Sequence, residues 1–140
     1  MIIAVDFDGT IVEDRFPKIG SEKPFATETL RMLTKEHHQL ILWTVREGKF
    51  LDDAISWCKE RGVDFWAVNK DYPEEKINSN DNYSRKIKAD MFIDDRNIGG
   101  LPDWGTIYQM IKENKSIHRI YYERMSKNIE PPKKKHWWQV

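Results

Sequence analysis

Carboxylate side chains stand directly after two apolar stretches of the chain. Asp6 and Asp8 follow the run from Ile2 to Val5, and Asp94-Asp95 follows the run from Met91 to Ile93. Residues two apart in an extended segment face the same side, so Asp6 and Asp8 can both face one pocket. Several carboxylates held close together repel one another, and a bound divalent cation relieves that repulsion. Oxygen ligands of this kind favour Mg²⁺ that shares its coordination with a substrate phosphate.

The residue types in the first of these segments suit chemistry at phosphorus. When a cation offsets the repulsion between two anions, a carboxylate can attack phosphorus, and Asp6 at the strand tip is positioned to do so. Asp8 can donate a proton to the departing oxygen and later accept one from the attacking water. Gly9 permits a tight turn, and we expect the backbone amides at Gly9 and Thr10 to contact phosphate oxygens.

Further polar groups can complete such a site. Thr44 offers a hydroxyl at the end of a second apolar run. A lysine upstream of the last apolar run, Lys86 or Lys88, can supply positive charge to the phosphoryl group in the transition state. Arg46 and Arg96 stand close to these positions and either touch the substrate or pair with nearby carboxylates.

These residues must be positioned by strands and helices that alternate along the chain. Apolar, β-branched runs predict buried strands, and apolar residues repeated every three or four positions predict amphipathic helices. The alternation predicts an α/β fold, a Rossmann-like three-layer sandwich with a mainly parallel sheet. The predicted strands are Ile2 to Val5, Leu40 to Trp43, Phe65 to Val68 and Met91 to Ile93. The predicted helices are Pro24 to His37, Leu51 to a cap at Gly62 and one around Ile107 to Ile111. The segment from Ile117 to Met125 fits either a helix or a strand.

Polar groups follow three of the four predicted strands. In sheets of this kind, ligands bind outside the carboxyl ends of the strands, where the strand order reverses. Taken alone, each residue has an ordinary structural explanation, because Asp-Gly-Thr is typical of a turn, an Asp pair of a helix cap and a lysine of a solvated surface. Their joint position at successive strand ends favours one shared site over these explanations.

The segment Asp6-Phe7-Asp8-Gly9-Thr10 resembles the first signature motif of the haloacid dehalogenase-like superfamily of phosphohydrolases. Thr44 matches the second motif of that superfamily, Lys86 or Lys88 its third and Asp94-Asp95 its fourth, in the superfamily's order. The resemblance implies an aspartyl-phosphate intermediate on Asp6. It also implies Mg²⁺ held by Asp6, the backbone carbonyl of Asp8 and an acid of the fourth motif.

The resemblance also narrows the alternatives. In a common form of the superfamily the active lysine lies eight residues before the first acid of the fourth motif, and this spacing favours Lys86 over Lys88. We expect Asp94 to be the main metal ligand of that motif and keep Asp95 as the second candidate. Members that cleave carbon–halogen bonds lack the second aspartate of the first motif, so Asp8 favours phosphoryl transfer.

Composition excludes several classes of function. The chain has 23 basic and 23 acidic residues and no net charge, which argues against a general nucleic-acid binder. The longest stretch without a charged residue, His37 to Val45, is too short for a membrane span. The single cysteine, Cys58, fits a small buried hydrophobe in a reducing compartment, and no basic leader precedes the first apolar run, so we expect a cytoplasmic protein.

The length of 140 residues fits one catalytic domain, assigned to residues 1–130, followed by a basic and aromatic tail over residues 131–140. Only a short flap, roughly Ile11 to Gly20, fits after the first motif, and Asn69 to Arg85 is too short for a separate cap domain. We therefore expect a capless or minimally capped phosphatase that acts on a phosphorylated small molecule.

Two alternatives stay open. The same fold can serve as a phosphate-binding or regulatory module with weak turnover. The tail segment from Lys133 to Trp138 combines charge with aromatic surface, so a phosphatase acting on nucleic-acid ends is also compatible with the sequence. A solvated chain end is the more ordinary interpretation of that segment.

Overall fold

Four short apolar segments form a parallel β-sheet in the computed structural model, which describes residues 1–76 and 85–128. A two-stranded antiparallel hairpin follows the first strand, one helix precedes each of the next two strands of the sheet, and two further helices follow the last strand. In chain order the elements are β1 (Ile2–Val5), β2 (Val12–Arg15), β3 (Lys18–Glu22), α1 (Ala26–Lys35), β4 (Gln39–Leu42), α2 (Gly48–Glu60), β5 (Ala67–Val68), β6 (Met91–Ile93), α3 (Trp104–Glu113) and α4 (Ile117–Asn128).

The strand order of the sheet is β5-β4-β1-β6. Both neighbours of β1 run parallel to it, with Ala4 paired to Ile41 on one side and to Phe92 on the other. The chain moves from β1 outward to β4 and β5 and then returns to the opposite side of β1, so the strand order reverses between β1 and β6. The predicted α/β class with a Rossmann-like parallel sheet is confirmed.

Burial of both sheet faces explains why the strands are almost continuously apolar. Ile3 and Val5 point to one face and are fully buried. Ala4 points to the other face, where it forms a cluster with Ile41, Ala67 and Ile87. Ile87 belongs to the segment before β6, so this polar segment also supplies part of the core.

The first two helices bury a stripe of apolar residues, as their periodicity predicts. In α1 the stripe includes Leu30 and Leu33, and in α2 it includes Ala54 and Cys58. Cys58 is thus the small buried hydrophobe expected from the sequence. Gly62 has a φ of +78° just beyond α2 and donates its N–H to Lys59 O, which confirms its predicted capping position.

The observed α1 is shorter than the predicted helix from Pro24 to His37. Phe25 has a φ of +65° and His37 a φ of +69°, and both values are incompatible with the interior of an α-helix. The helix therefore begins at Ala26 and ends at Lys35.

The flap is a β-hairpin formed by β2 and β3. The sequence predicts a short flap here but not its strands, because the hairpin is charged along most of its length and has no apolar alternation. The close pairing depends on Gly20, since a Cβ atom at that position would overlap the backbone carbonyl of Glu13. Within residues 1–76 and 85–128, this hairpin is the only strand pair outside the parallel sheet, and the minimal-cap type stays a prediction.

The chain divides into two units, Met1–Gly105 and Thr106–Val140. The first contains the sheet, the hairpin, α1 and α2, and the second contains most of α3 and all of α4. The segment from Ile117 to Met125, which the sequence leaves open between helix and strand, lies in α4. The predicted tail over residues 131–140 falls outside the described residues, and the single domain over residues 1–130 stays a prediction. None of the helices described is both long and apolar enough to cross a membrane.

Candidate active site

Three carboxylates meet at the carboxyl ends of β1 and β6. Val5 and Ile93 are paired in the parallel register, and the backbone N–H of Asp6 donates to Ile93 O at 3.0 Å. This pairing places Asp6 beside Asp94 and Asp95, and their carboxylate oxygens lie within 4.8 Å of one another. The structure therefore brings together three of the acids that the sequence assigns to the metal.

The environment of Asp6 disfavours its negative charge. The pKa of this carboxyl is raised to about 7, chiefly by burial and also by the charges of Asp94 and Asp95, while the hydrogen bond from the Phe7 N–H opposes the shift. A cation bound among the three carboxylates would offset the repulsion between their negative charges. The donors are all oxygens, the ligand type that Mg²⁺ prefers, so these residues fit the metal that the sequence predicts.

The buried hydroxyl of Thr10 joins two members of the carboxylate cluster. It accepts a hydrogen bond from the backbone N–H of Asp95 at 3.0 Å, and it lies 3.0 Å from Asp95 Oδ1 and 3.3 Å from Asp6 Oδ2, either of which it can donate to. Thr10 thus fixes the relative position of the two acids from the inside of the loop.

The backbone amides expected to bind phosphate donate within the loop that follows β1. The N–H of Gly9 donates to Val12 O at 2.7 Å, and the N–H of Thr10 donates to Phe7 O at 3.2 Å. These bonds form the tight turn that Gly9 makes with a φ of +85°. Phosphate contact by these two amides stays a prediction and requires the loop bonds to open.

The carboxylate of Asp8 lies outside the acidic cluster. Both of its oxygens accept hydrogen bonds from Arg46, from Nε and from one terminal nitrogen, each at 2.7 Å. Sequence reasoning left open whether Arg46 touches substrate or pairs with a carboxylate, and the structure shows the pair. The backbone of Asp8 lies two residues after the nucleophile candidate, Asp6.

Thr44 lies at the carboxyl end of β4, beside β1, as predicted. Its N–H donates to Asn69 Oδ1 at 2.8 Å, and its hydroxyl accepts from the N–H of Arg46 at 3.1 Å. Asn69 was missed from the sequence because it stands in a polar segment with no periodic pattern. Its φ of +52° identifies it as a turn residue whose side chain caps the end of β4.

The two candidate lysines lie before β6 with exposed side chains. Lys86 Nζ lies 5.1 Å from the centroid of the Phe92 ring, a cation–π distance. The backbone N–H of Lys88 donates to Asp71 Oδ1 at 2.8 Å. Among the contacts described, neither lysine reaches the carboxylate cluster, so the choice of Lys86 as the active lysine stays a prediction.

A cavity of about 700 Å³ adjoins the cluster. Gly9 and Asp95 belong to its lining, and the rest of its wall comes from the hairpin, from the two connections that precede α1 and α3, and from the first residue of α3. Trp104 fixes one of these connections because its Nε1–H donates to Thr10 O at 3.0 Å. The remaining lining residues are Glu13, Asp14, Lys23, Pro24, Leu101, Pro102 and Asp103. This cavity could not be predicted from the sequence, because its wall combines a charged hairpin that has no strand pattern with two connections between elements.

Comparison with known proteins gives one extensive match. No family model matches the chain, and no curated protein matches it significantly. A crystal structure of D,D-heptose 1,7-bisphosphate phosphatase from B. bronchiseptica with magnesium and phosphate shares 18% identity over 48% of this chain and 47% of that chain, with a TM-score of 0.39. At that level the similarity establishes neither a common fold nor a common function.

The extensive match is to the structure of a conserved protein from Bacteroides thetaiotaomicron. It shares 64% identity with this chain and covers 86% of this chain and 97% of its own, with a TM-score of 0.79. Identity this high over nearly the whole of both chains means that the chain belongs to the same family as the conserved Bacteroides thetaiotaomicron protein.

Proposed function

We propose that this chain is a Mg²⁺-dependent phosphomonoester hydrolase of the haloacid dehalogenase-like superfamily. The observation that carries the proposal is the cluster of Asp6, Asp94 and Asp95 at the point where the strand order reverses. The raised pKa of Asp6 supports it, since a nucleophile in this place needs a cation to stay ionised at neutral pH. The superfamily assignment rests on the order of the four motifs in the sequence.

In the proposed reaction, Asp6 acts as the nucleophile and Asp8 as the proton donor and acceptor. One carboxylate oxygen of Asp6 forms a bond to phosphorus while the bond from phosphorus to the leaving oxygen breaks, and Asp8 gives that oxygen a proton. Asp8 then takes a proton from a water that attacks phosphorus. The phosphorus bond to Asp6 breaks, which releases inorganic phosphate and restores both carboxyl groups.

Asp6, Asp94, Asp95 and the backbone carbonyl of Asp8 would hold the Mg²⁺. When bound, the cation supplies positive charge that offsets the repulsion between the carboxylate and the phosphate. Thr44 and Lys86 would contact the transferred phosphoryl group, for which Lys86 leaves the face of Phe92. The exposed position of the Lys86 side chain permits that movement.

We place the leaving group of the substrate in the cavity beside Asp95. A volume of about 700 Å³ suits a small organic phosphate rather than a polymer. Glu13, Asp14 and Asp103 contribute three carboxylates to its wall, against one basic residue, Lys23, among the lining residues described. Such a wall favours a neutral or cationic leaving group over one that carries a second negative charge.

Hydrolysis of p-nitrophenyl phosphate tests the proposed activity. The purified chain should hydrolyse it with Mg²⁺ and lose the activity in excess chelator. Asp6→Asn should reduce kcat by at least about a thousandfold, because the amide cannot form the covalent intermediate. Asp53→Asn, an exposed aspartate on α2, is the matched control and should retain activity. Undiminished hydrolysis by a folded Asp6→Asn protein would exclude the mechanism.

One observation favours a phosphate-binding module without turnover as the second candidate. Both oxygens of the Asp8 carboxylate are engaged by Arg46, which is unusual for a group that must exchange protons. Mg²⁺-dependent binding of vanadate or beryllofluoride, combined with no hydrolysis across a broad panel of phosphate esters, would select the module over the enzyme.

A further inference from the structure

Arg46 uses every hydrogen-bond donor of its guanidinium inside the protein. Its side chain is 0% exposed. Two of its N–H groups donate to the oxygens of Asp8 at 2.7 Å each. The others donate to backbone carbonyls, to Pro17 and Phe50 at 3.2 Å and to Lys18 at 3.0 Å. A guanidinium has five N–H donors, so none is left for a substrate.

Aromatic rings cover the faces of the same guanidinium. Its central carbon lies 5.2 Å from the centroids of both the Phe7 and the Phe16 rings. The rings exclude water, and an ion pair with two parallel hydrogen bonds is strong and directional in such surroundings. Asp8 is therefore held in one orientation, and 11% of its side chain remains exposed.

The partners of Arg46 belong to three separate parts of the fold. Asp8 follows β1, Pro17 and Lys18 lie at the tip of the β2–β3 hairpin, and Phe50 lies in the first turn of α2. One side chain thus connects the proton-transfer candidate to the flap. The same hairpin contributes Glu13 and Asp14 to the wall of the cavity.

We propose that Arg46 is a positioning residue that fixes Asp8 and the flap hairpin as one rigid unit. A leaving group that rests against the hairpin wall is then aligned with the carboxyl group that protonates it. Arg46 acts through Asp8 and does not touch the substrate. The catalytic part of this inference rests on the proposed phosphatase function, whereas the attachment of the hairpin does not.

A buried ion pair is weak evidence for a purely stabilising role. The cost of removing both charges from water often cancels their attraction, and apolar residues of similar volume can stabilise a fold as well. The specific gain from the Arg46 arrangement is geometric, because a planar donor with all five N–H groups bonded permits a single placement of its partners.

Amide hydrogen exchange tests the attachment of the hairpin. In Arg46→Met, exchange over residues 12–22 should become at least about tenfold faster, while the strands β1 and β4 keep their protection. Arg46→Lys should show an intermediate effect, since an ammonium has only three donors. Arg15→Met is the matched control on the hairpin itself, because the Arg15 side chain is 70% exposed. Unchanged hairpin exchange in a folded Arg46→Met protein would overturn the proposal.

Steady-state kinetics with p-nitrophenyl phosphate test the action through Asp8. Arg46→Met should lower kcat by at least about a hundredfold and change KM by less than about threefold, because it disturbs proton transfer but not binding. In an Asp8→Asn background, adding Arg46→Met should change kcat by less than about threefold. This double variant replaces both charges with neutral groups and remains usable if Arg46→Met alone does not fold.

Two kinetic results would contradict the proposal. A raised KM with unchanged kcat would mean that Arg46 binds substrate. A fall in kcat in the Asp8→Asn background as large as in the wild-type background would mean that Arg46 acts independently of Asp8. If the wild-type chain hydrolyses no ester, the proposed function and the catalytic role fail together, and hydrogen exchange alone decides whether Arg46 fastens the hairpin.

Discussion

Asp95 occupies the space in which a side chain at Gly9 would lie. A Cβ atom built on Gly9 would be 2.7 Å from Asp95 Cγ and 2.9 Å from Asp95 Oδ1, and it would overlap Oδ2. Gly9 also has a φ of +85°, a conformation that other residues adopt only with strain. The carboxylate cluster therefore depends on the absence of a side chain three positions after Asp6, in addition to the acids themselves.

Gly9→Ala should displace Asp95 and weaken the cluster. Strain at a positive φ alone costs about 1–2 kcal/mol, and the overlap with Asp95 adds to it. Gly100→Ala has a similar φ of +72° with no neighbour within 4 Å, so it measures the strain without the overlap. Thermal denaturation should place Gly9→Ala below Gly100→Ala, and Gly9→Ala alone should lose Mg²⁺-dependent activity. Equal effects of the two variants would show that the overlap relaxes without consequence.

The position of the carboxylate cluster could be predicted because it follows from two local rules. Apolar runs identify β1 and β6, and parallel strands bring their carboxyl ends to one edge of the sheet. Asp6, Asp94 and Asp95 are the residues immediately after those runs. The proximity of these three acids could therefore be predicted without knowledge of side-chain packing.

The contacts of Arg46 could not be predicted by the same rules. Its side-chain partners are separated from it by up to 38 positions and include three backbone carbonyls, which no residue pattern reports. The hairpin that supplies Pro17 and Lys18 is itself charged and has no strand pattern. The contact between Lys86 and Phe92 could not be predicted either, because it depends on how a loop without a periodic pattern returns to the sheet.

Asp6→Asn should stabilise the metal-free protein at high pH. The pKa of Asp6 is about 7 in the fold and near 3.8 without it, so between these values the folded state binds more protons than the unfolded state. The free energy of unfolding of the wild type therefore falls as the pH rises from about 4 to about 7, and the loss is complete above about 7. Because asparagine does not ionise, Asp6→Asn should not show this decrease in the free energy of unfolding.

Denaturation in chelator at about pH 5 and about pH 8 checks this expectation. The melting temperature of Asp6→Asn should exceed that of the wild type by roughly 5 °C at the higher pH, and the difference should shrink at the lower one. Asp53→Asn, exposed on α2, should show no such pH dependence. A lower melting temperature for metal-free Asp6→Asn at the higher pH would contradict a destabilising charge on Asp6.

Millimolar Mg²⁺ should raise the melting temperature of the wild type, because an ion that binds only the folded state stabilises it. The increase should be larger at about pH 8 than at about pH 5, since binding requires Asp6 in its ionised form. Asp94→Asn removes one charge from the cluster and should abolish most of the increase, whereas Asp53→Asn should keep it. An equal Mg²⁺ effect in Asp94→Asn would place the cation elsewhere.

The charge of the leaving group should determine which esters the chain hydrolyses well. Glu13, Asp14 and Asp103 line the cavity with Lys23. Arg15 lies 3.8 Å from Glu13, but its side chain is exposed, so solvent screens its charge. We therefore expect kcat/KM for phosphorylcholine to exceed that for 2-phosphoglycolate, whose leaving group carries a carboxylate, by at least about tenfold.

Substitutions in the cavity wall should change the ratio of these two kcat/KM values. Lys23→Gln should increase the ratio, and Glu13→Gln combined with Asp14→Asn should decrease it. Glu60→Gln, exposed at the end of α2, is the matched control and should leave the ratio unchanged. A higher kcat/KM for 2-phosphoglycolate than for phosphorylcholine would mean that the leaving group does not occupy this cavity. A ratio that is unchanged by all three cavity substitutions would mean the same.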